Sequence, residues 1–298
     1  MRILVTGAAG MLGSSLVPVT REASHLAFAS DLVYVRNSGY NETWLDVRRP
    51  EHVAEWINHD QGPELVIHLA ALTDLEECEK DTDNAWHTNA VGTLYVAQAC
   101  RRAGVPMVYI STAGVFDGSY AALYTEFDQP NPLNTYGKAK FAGEQFVREN
   151  VPDHLIVRAG WMIGGGPEKD HKFISLVMNQ LVAGAMRIYA VDDKYGTPTY
   201  APDFSACLTD LIATDANGTY HMASFGTANR YDVACEIVRL RNSSAKVVPV
   251  PSSKFKDDYF AWRPRSEAMR NMRLELEGRN TMRPWQDGLA EYLRLWPE

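Results

Sequence analysis

Short apolar runs alternate with amphipathic stretches along the first half of the chain. The mainly apolar runs lie at Ile3–Val5, Leu26–Ala29, Leu65–Leu69, Met107–Ile110 and Leu155–Val157. The stretches between them repeat apolar residues at helical spacing, at Met11–Val17, Pro50–Ile57, Asn84–Ala103 and Thr135–Glu149. Alternating strands and helices predict an α/β fold, a doubly wound parallel sheet of the Rossmann type with helices on both faces.

The pattern changes after about residue 158. The later predicted helices are Phe173–Ala183, Asp203–Ala213, Tyr231–Arg241 and Trp285–Leu295, and the extended segments are Arg187–Ala190 and Val247–Val250. These pieces are too short and mixed to predict a continued parallel sheet. We therefore expect a dinucleotide-binding domain over residues 1–158 and a smaller, mainly substrate-binding lobe over residues 159–298, with some crossover back to the first domain.

Composition narrows the range of functions. The 298 residues are 46% hydrophobic and 22% charged, as in an ordinary globular enzyme. A net charge of −8 argues against general nucleic-acid binding, which needs a basic face, but helix N-termini and local arginines still admit an anionic ligand. We expect no membrane partner, no metal, reduced cysteines and a cytoplasmic location. The sequence leaves the oligomeric state open, a homodimer included.

The first apolar run leads into three glycines, Gly7, Gly10 and Gly13, spaced three residues apart. Gly7 permits a tight turn, Gly10 lets the backbone approach a pyrophosphate, and Gly13 lets the helix pack closely on the sheet. The helix that begins at Met11 and Leu12 offers free N–H groups to phosphates. An ordinary turn is the alternative, but the position directly after the first strand favours a site for NAD or NADP.

An acidic residue at the end of the second run bears on the choice of cofactor. Asp31 lies where a carboxylate accepts hydrogen bonds from the adenosine ribose and repels a 2′-phosphate, so it favours NAD. Arg36 lies close in sequence and could reverse that preference, and a solvated loop aspartate is the alternative. The remaining expected cofactor contacts are Asp46 and Val47 beside the adenine, and Leu69, Ala70 and Ala71 after the third strand.

A tyrosine and a lysine four residues apart, Tyr136 and Lys140, share one face of a predicted helix. Reduction of a ketone needs a proton donor, and Tyr136 has the hydroxyl for it. Since a free tyrosine has a pKa of about 10, we expect the charge of Lys140 to lower it. Lys140 can also hold the nicotinamide ribose. Thr112 closes the fourth strand and can hold the substrate oxygen; Ser111 is the alternative, because a strand turns only one of them to the site.

These motifs together resemble the extended short-chain dehydrogenase/reductase family. The resemblance lies in the turn at 6–13, in the segments at 68–71 and 89–93, and in the trio Thr112, Tyr136 and Lys140. It implies that the trio is catalytic. It also implies that Asn89 acts with the trio, by supporting a proton relay or the active-site helix.

Further segments resemble the nucleotide-sugar 4-ketoreductases of that family, the dTDP-4-dehydrorhamnose reductases among them. They lie at 73–79, 115–118, 136–144, 196–199 and 263–266. The resemblance implies an NAD(P)H-dependent oxidoreductase that reduces the 4-keto group of a nucleotide-activated 6-deoxysugar, in dTDP-rhamnose or polysaccharide biosynthesis. The implied substrate contacts are Thr73, Ala113, Gly114, Trp161 and Arg263. Arg158, Lys172 and Arg265 are, with Arg263, candidates for contact with a pyrophosphate, and a surface ion pair is the alternative for each.

Two other functions remain as alternatives. A 4-epimerase or dehydratase would use the same scaffold, but a dehydratase usually has an acidic pair beside the catalytic hydroxyl, where this chain has Ala113 and Gly114. Members of the 4-ketoreductase branch usually have an Asp-Tyr pair there, so we expect a wider sugar pocket with fewer hydrogen-bonding groups. A non-catalytic cofactor-binding regulatory subunit is the second alternative, and the intact trio argues against it.

Overall fold

The computed structural model describes residues 1–33, 41–120 and 122–297. The strands are β1 (Arg2–Thr6), β2 (Leu26–Asp31), β3 (Asn41–Trp44), β4 (Leu65–His68), β5 (Met107–Thr112), β6 (His154–Ala159), β7 (Trp161–Ile163), β8 (Arg187–Val191), β9 (Tyr195–Gly196), β10 (Pro198–Tyr200), β11 (Gly218–Met222), β12 (Ala228–Asn229) and β13 (Lys246–Val250). The helices are α1 (Met11–Glu22), α2 (Pro50–Ile57), α3 (Leu75–Lys80), α4 (Thr82–Trp86), α5 (Gly92–Ala103), α6 (Thr135–Asn150), α7 (Phe173–Val182), α8 (Ala201–Ile212), α9 (Arg230–Leu240), α10 (Met272–Leu276) and α11 (Trp285–Leu293).

The central sheet has seven strands in the order β11-β6-β5-β4-β1-β2-β3, and every neighbouring pair is parallel. Side chains alternate between its two faces. Ile3 and Val5 pack against α1 and α8, whereas Leu4 between them packs against α2, α5 and α6. Helices therefore cover both faces, and the predicted doubly wound Rossmann fold is confirmed.

A second hydrophobic core lies in the later part of the chain. Residues of α7, α9 and α11 pack there around β8, with Ile188, Leu289 and Tyr292 fully buried. The strands of this part form two-stranded sheets, β10 with β7, β12 with β9 and β13 with β8. Two of these sheets contribute residues to the cleft described below, Trp161 and Met162 from β7 and Ile188–Val191 from β8.

One late segment departs from the sequence-based expectation. We expected the pieces after residue 158 not to continue the sheet, but β11 pairs with β6 as an added parallel strand. The sequence pattern did not predict β11 because most of its residues are polar or small. Tyr220 and His221 are both buried because their polar atoms are bonded, the Tyr220 hydroxyl to Glu277 and His221 Nδ1 to the carbonyl of Arg270.

The helix predicted at Asn84–Ala103 is divided. A π-helical turn at His87–Val91 separates α4 from α5. Such turns are rare and often occur at functional sites. This one places the side chain of Asn89 behind the wall of the cleft.

Candidate active site

A cleft of about 1360 Å³ crosses the carboxyl ends of β1, β2, β4 and β5, where doubly wound sheets bind ligands. It exceeds the roughly 300–1,000 Å³ of ordinary ligand pockets, so it has room for a dinucleotide and a second ligand. The predicted residues that line it are Gly7, Gly10, Met11, Leu12, Gly13, Asp31, Asp46, Val47, Leu69, Ala70, Ala71, Thr73, Thr112, Gly114, Tyr136, Lys140, Trp161 and Arg263.

The glycine-rich turn leaves space that a side chain would fill. Gly7 has a φ of +70°, and a Cβ there would lie 2.6 Å from the backbone nitrogen of Ala70. A Cβ on Gly13 would lie 2.4 Å from the carbonyl oxygen of Ala8. Gly10 precedes α1 and has no side chain to cap it, so the first N–H groups of the helix stay available to an anion. This cradle fits a pyrophosphate.

Two acidic residues, Asp31 and Asp46, line the cleft at the end of β2 and just after β3. Asp31 Oδ2 accepts a hydrogen bond from the Ala9 N–H at 2.9 Å, which fixes the carboxylate against the glycine-rich turn. Arg48 donates two hydrogen bonds to Asp46, at 2.9 and 2.8 Å, and lowers the pKa of that carboxyl. The charge of Arg48 is thereby compensated. Arg36, the residue that could reverse the NAD preference, lies outside the described residues.

The start of α6 is anchored to both halves of the cleft. Asn134 caps the helix by accepting from the Gly137 N–H at 2.7 Å, and its Nδ2 donates to the carbonyl of Trp262. Thr135 donates both its N–H and its hydroxyl to the carboxylate of Glu79. These contacts fix the first turn of α6, which carries the tyrosine.

Thr112 and Ser111 point to opposite sides of β5. The Ser111 hydroxyl donates to Glu144 Oε1 at 2.7 Å, away from the cleft. Thr112 Oγ1 accepts from the Gly114 N–H at 3.0 Å, and its hydroxyl lies close enough to Tyr136 to lower the pKa of that phenol. Of the two alternatives, Thr112 is the one whose hydroxyl lies beside the tyrosine.

The pKa values of the pair on α6 differ from expectation. Burial raises the pKa of Tyr136 to about 12, against a hydrogen bond from Thr112 that lowers it. Burial lowers the pKa of Lys140 to about 7, against the charge of Glu144 that raises it. The expectation that Lys140 lowers the tyrosine pKa is therefore wrong in this structure, because the ammonium itself is half-neutral near pH 7. The phenol keeps its proton at neutral pH, as a proton donor must.

Two predicted site residues do not line the cleft. Asn89 is fully buried, and its amide exchanges hydrogen bonds with the backbone N–H and carbonyl of Leu72, at 2.8 and 2.9 Å. It fixes the loop after β4 and packs against α6 rather than facing a ligand. Ala113 is 2% exposed and lies in a hydrophobic cluster with Val115 and Phe116, because the turn after β5 directs it inward.

Two of the cations predicted to contact a pyrophosphate form ion pairs within the protein. Arg158 is wrong for that role, since it is buried and makes two 2.8 Å hydrogen bonds to the carboxylate of Glu144. Arg263 lines the cleft, but both oxygens of Glu76 accept from its guanidinium, at 2.8 and 2.9 Å. Lys172 also lines the cleft.

Sequence reasoning missed Arg230 and Glu267, which flank Trp161; we call these three residues the open cluster. The Arg230 guanidinium lies 4.1 Å from the centroid of the indole, and the indole Nε1 donates to Glu267 Oε1 at 2.6 Å. A Cβ on Gly196 would lie 2.2 Å from the indole, so only glycine admits the ring there. Arg230 belongs to no local motif that would have signalled it, whereas Glu267 directly follows the segment at 263–266 but was not itself part of that resemblance.

Arg230 lacks an ionic partner. Among the residues that the structure describes, its side chain forms no salt bridge and donates no hydrogen bond, and its contacts are with the rings of Trp161 and Phe173. Burial lowers its pKa to about 10, so it stays charged at neutral pH. An unpaired guanidinium that lines a cleft can bind an anionic ligand.

Within residues 1–33, 41–120 and 122–297, no helix is long and apolar enough to cross a membrane. Nor do three or more histidine, cysteine, aspartate or glutamate side chains come together there in a group that could hold a metal ion.

Known proteins are similar to this chain over nearly its whole length. The chain is 32% identical to the dTDP-4-dehydrorhamnose reductase of Mycobacterium tuberculosis, over 98% of this chain and 92% of that one. The crystal structure of a Clostridium acetobutylicum dTDP-4-dehydrorhamnose reductase superposes with a TM-score of 0.89 at 34% identity, and covers 99% of both chains. That of the Bacillus anthracis enzyme in complex with NADP gives a TM-score of 0.88 at 31% identity, again with 99% of both chains covered. The family described as the RmlD substrate binding domain matches residues 1–296, and the chain belongs to it.

Proposed function

We propose that the protein is an NAD(P)H-dependent reductase of the 4-keto group of a dTDP-activated 6-deoxysugar. The observation that carries the proposal is the pairing of Thr112 and Tyr136 at the sheet end of a cleft large enough for two ligands. The named activity of the Mycobacterium and Clostridium relatives, at more than 30% identity over nearly the whole chain, supports the same conclusion.

The nicotinamide cofactor supplies a hydride to the carbonyl carbon. Gly7, Gly10 and the start of α1 would hold its pyrophosphate, and Lys140 its nicotinamide ribose. We further propose a preference for NADH. Asp31 lines the cleft beside the glycine-rich turn, where its carboxylate would accept hydrogen bonds from the ribose hydroxyls, and Asp46 compensates the charge of Arg48. The Bacillus relative was crystallised in complex with NADP, so a preference for NADPH is the outcome that would contradict this proposal.

The trio would act on the substrate oxygen. Thr112 Oγ1 donates a hydrogen bond to the carbonyl oxygen and so fixes it beside the tyrosine. The Tyr136 hydroxyl gives its proton to that oxygen as negative charge develops there. Lys140 lies one turn further along α6 and, in its charged form, stabilises the phenolate left behind. The protonated phenol at neutral pH is consistent with this order of events.

The late part of the chain would hold the nucleotide. Arg230 and Lys172 bring positive charge to a cleft of an otherwise acidic protein, and a diphosphate is the ligand group that suits them. Aromatic side chains for stacking on a base line the same end of the cleft, namely Tyr189, Phe255, Tyr259 and Trp262. These residues favour a nucleotide-bound sugar over a free one.

The test is an absorbance assay of the purified protein with a dTDP-4-dehydro-6-deoxysugar and either NADH or NADPH. We expect oxidation of the reduced cofactor, faster with NADH. Tyr136→Phe should lower kcat by about 100- to 10,000-fold, because the proton donor is gone while the ring still packs. Cofactor binding, measured by fluorescence titration, should not change.

Three results would contradict the proposal. Near-normal turnover of Tyr136→Phe would exclude the tyrosine as donor. Release of an isomerised sugar without net loss of reduced cofactor would identify an epimerase. Cofactor binding with no conversion of any keto sugar would favour the regulatory subunit.

A further inference from the structure

The wall of the cleft beside Thr112 carries no side chain at Gly114, and a carboxylate from a distant segment lies next to the gap. The point where a Gly114 Cβ would stand is 3.4 Å from Thr112 Oγ1 and 3.7 Å from Glu267 Oε2. Glu267 lines the cleft there. The carboxylate oxygen and the hydroxyl that would hold the substrate carbonyl therefore border the same gap.

The position of Glu267 is fixed from several sides. Its N–H donates to the carbonyl of Tyr195 at 3.0 Å, and the Tyr195 N–H donates to the carbonyl of Arg265 at 2.8 Å. On the other side, the Tyr124 N–H donates to the carbonyl of Ala268 at 2.9 Å. Its Oε1 accepts from Trp161, whose ring is itself confined. The carboxylate is thus held in place before any ligand binds.

The second carboxylate oxygen has no donor. Within the described part of the chain, no N–H or O–H group donates a hydrogen bond to Oε2 of Glu267. The nearby cations, Arg230 and Arg263, influence the charge of Glu267 but form no salt bridge with it. Leaving a half-buried carboxylate oxygen without a hydrogen-bond donor costs free energy. A ligand in the cleft beside it could supply that donor.

We propose that Glu267 Oε2 accepts a hydrogen bond from the sugar hydroxyl on C3, next to the 4-keto carbon, and thereby selects sugars that carry it. This inference rests on the proposed function. The 4-keto carbon has two ring neighbours, C3 with its hydroxyl and C5 with its methyl group, so only C3 offers a donor. The carboxylate would supply, from a distant segment of the chain, a polar contact that the small residues Ala113 and Gly114 do not provide.

The variant Glu267→Gln tests this with little change of shape. The glutamine carbonyl can still accept from Trp161, while an NH₂ donor replaces the acceptor at Oε2. We expect kcat/KM for a 3-hydroxy-4-keto sugar nucleotide to fall by about 10- to 100-fold, the effect of a hydrogen bond to a charged group. For the 3-deoxy analogue, kcat/KM should change little. The melting temperature serves as the control for folding.

A binding measurement separates this inference from the proposed function. Calorimetry gives the affinities of the wild type and of Glu267→Gln for dTDP and for dTDP-rhamnose. The substitution should weaken dTDP-rhamnose by the same factor and leave dTDP unchanged. If the wild type reduces the keto sugar but Glu267→Gln keeps its kcat/KM, or loses kcat/KM equally for the 3-hydroxy and 3-deoxy sugars, only the role of Glu267 is overturned. A wild type that neither binds nor reduces the sugar nucleotide would overturn both proposals.

Discussion

Two groups of charged side chains lie near Tyr136 and Lys140 and differ in whether their polar atoms have partners within the protein. The first, which we call the closed cluster, consists of Ser111, Glu144, Arg148 and Arg158. Both oxygens of Glu144 accept two hydrogen bonds, Oε1 from Ser111 and Arg158 and Oε2 from Arg158 and Arg148. In the open cluster, the Arg230 guanidinium and one oxygen of Glu267 have no such partners among the residues that the structure describes. Charges satisfied within the protein serve the fold, whereas charges left open at a cleft are available to a ligand.

The two glutamates show the difference in their pKa values. Burial would raise the pKa of Glu144, but the hydrogen bonds and charge of Arg158 bring it below its ordinary value. Burial raises the pKa of Glu267, and the hydrogen bond from Trp161 does not offset it. The same residue type is therefore stabilised as an anion in one cluster and left under-stabilised in the other.

The largest effect that separates the clusters should be on stability. Glu144→Gln leaves Arg158 buried without its counter-ion, so the free energy of unfolding should fall by about 3–5 kcal/mol. Glu267→Gln is the matched control, and it should change stability little because no salt bridge is lost. Urea denaturation of both variants measures this. Equal losses would mean that the two clusters do not differ in kind.

A smaller effect should appear on acidification. His221 lies beside Arg158, with 3.4 Å between its Nε2 and the guanidinium, and burial followed by that charge lowers its pKa to about 3. Between pH 6.5, about the ordinary histidine pKa, and pH 3, the His221 imidazole binds a proton in the unfolded chain but not in the folded one. The free energy of unfolding therefore falls as the pH falls. The loss should be about 2 kcal/mol at pH 5. The melting temperature of His221→Gln should fall less steeply between pH 6 and pH 4 than that of the wild type, by about the effect of this one histidine. An unchanged pH dependence would contradict this contribution.

The sequence predicted the cofactor half of the cleft better than the substrate half. Glycine spacing after a strand and the Tyr136–Lys140 spacing are local signals, and the predicted fold class is confirmed. Arg230 and Glu267 reach the cleft through tertiary packing. No sequence signal marked Arg230, and the segment at 263–266 beside Glu267 did not show that the Glu267 side chain enters the cleft. Asn89 was found as a motif, but its contact with a loop rather than the cleft depends on the π-helical turn.

Other expectations remain predictions. The division at residue 158, the homodimer, the cytoplasmic location and the roles of the individual site residues are of this kind. The pKa of Lys140 shows why a motif alone does not give its chemistry: the spacing brings the two side chains to one helix face, but burial decides which of them is charged.

The most direct test of the contrast between open and compensated charge is the affinity for dTDP of two arginine variants. Arg230→Gln removes the unpaired guanidinium, and Arg263→Gln removes one in the same cleft that Glu76 already neutralises. By calorimetry, Arg230→Gln should weaken dTDP about 10- to 100-fold, as expected for hydrogen bonds to a charged phosphate, and Arg263→Gln should weaken it much less. Unchanged affinity in Arg230→Gln, or equal loss in both variants, would contradict the account.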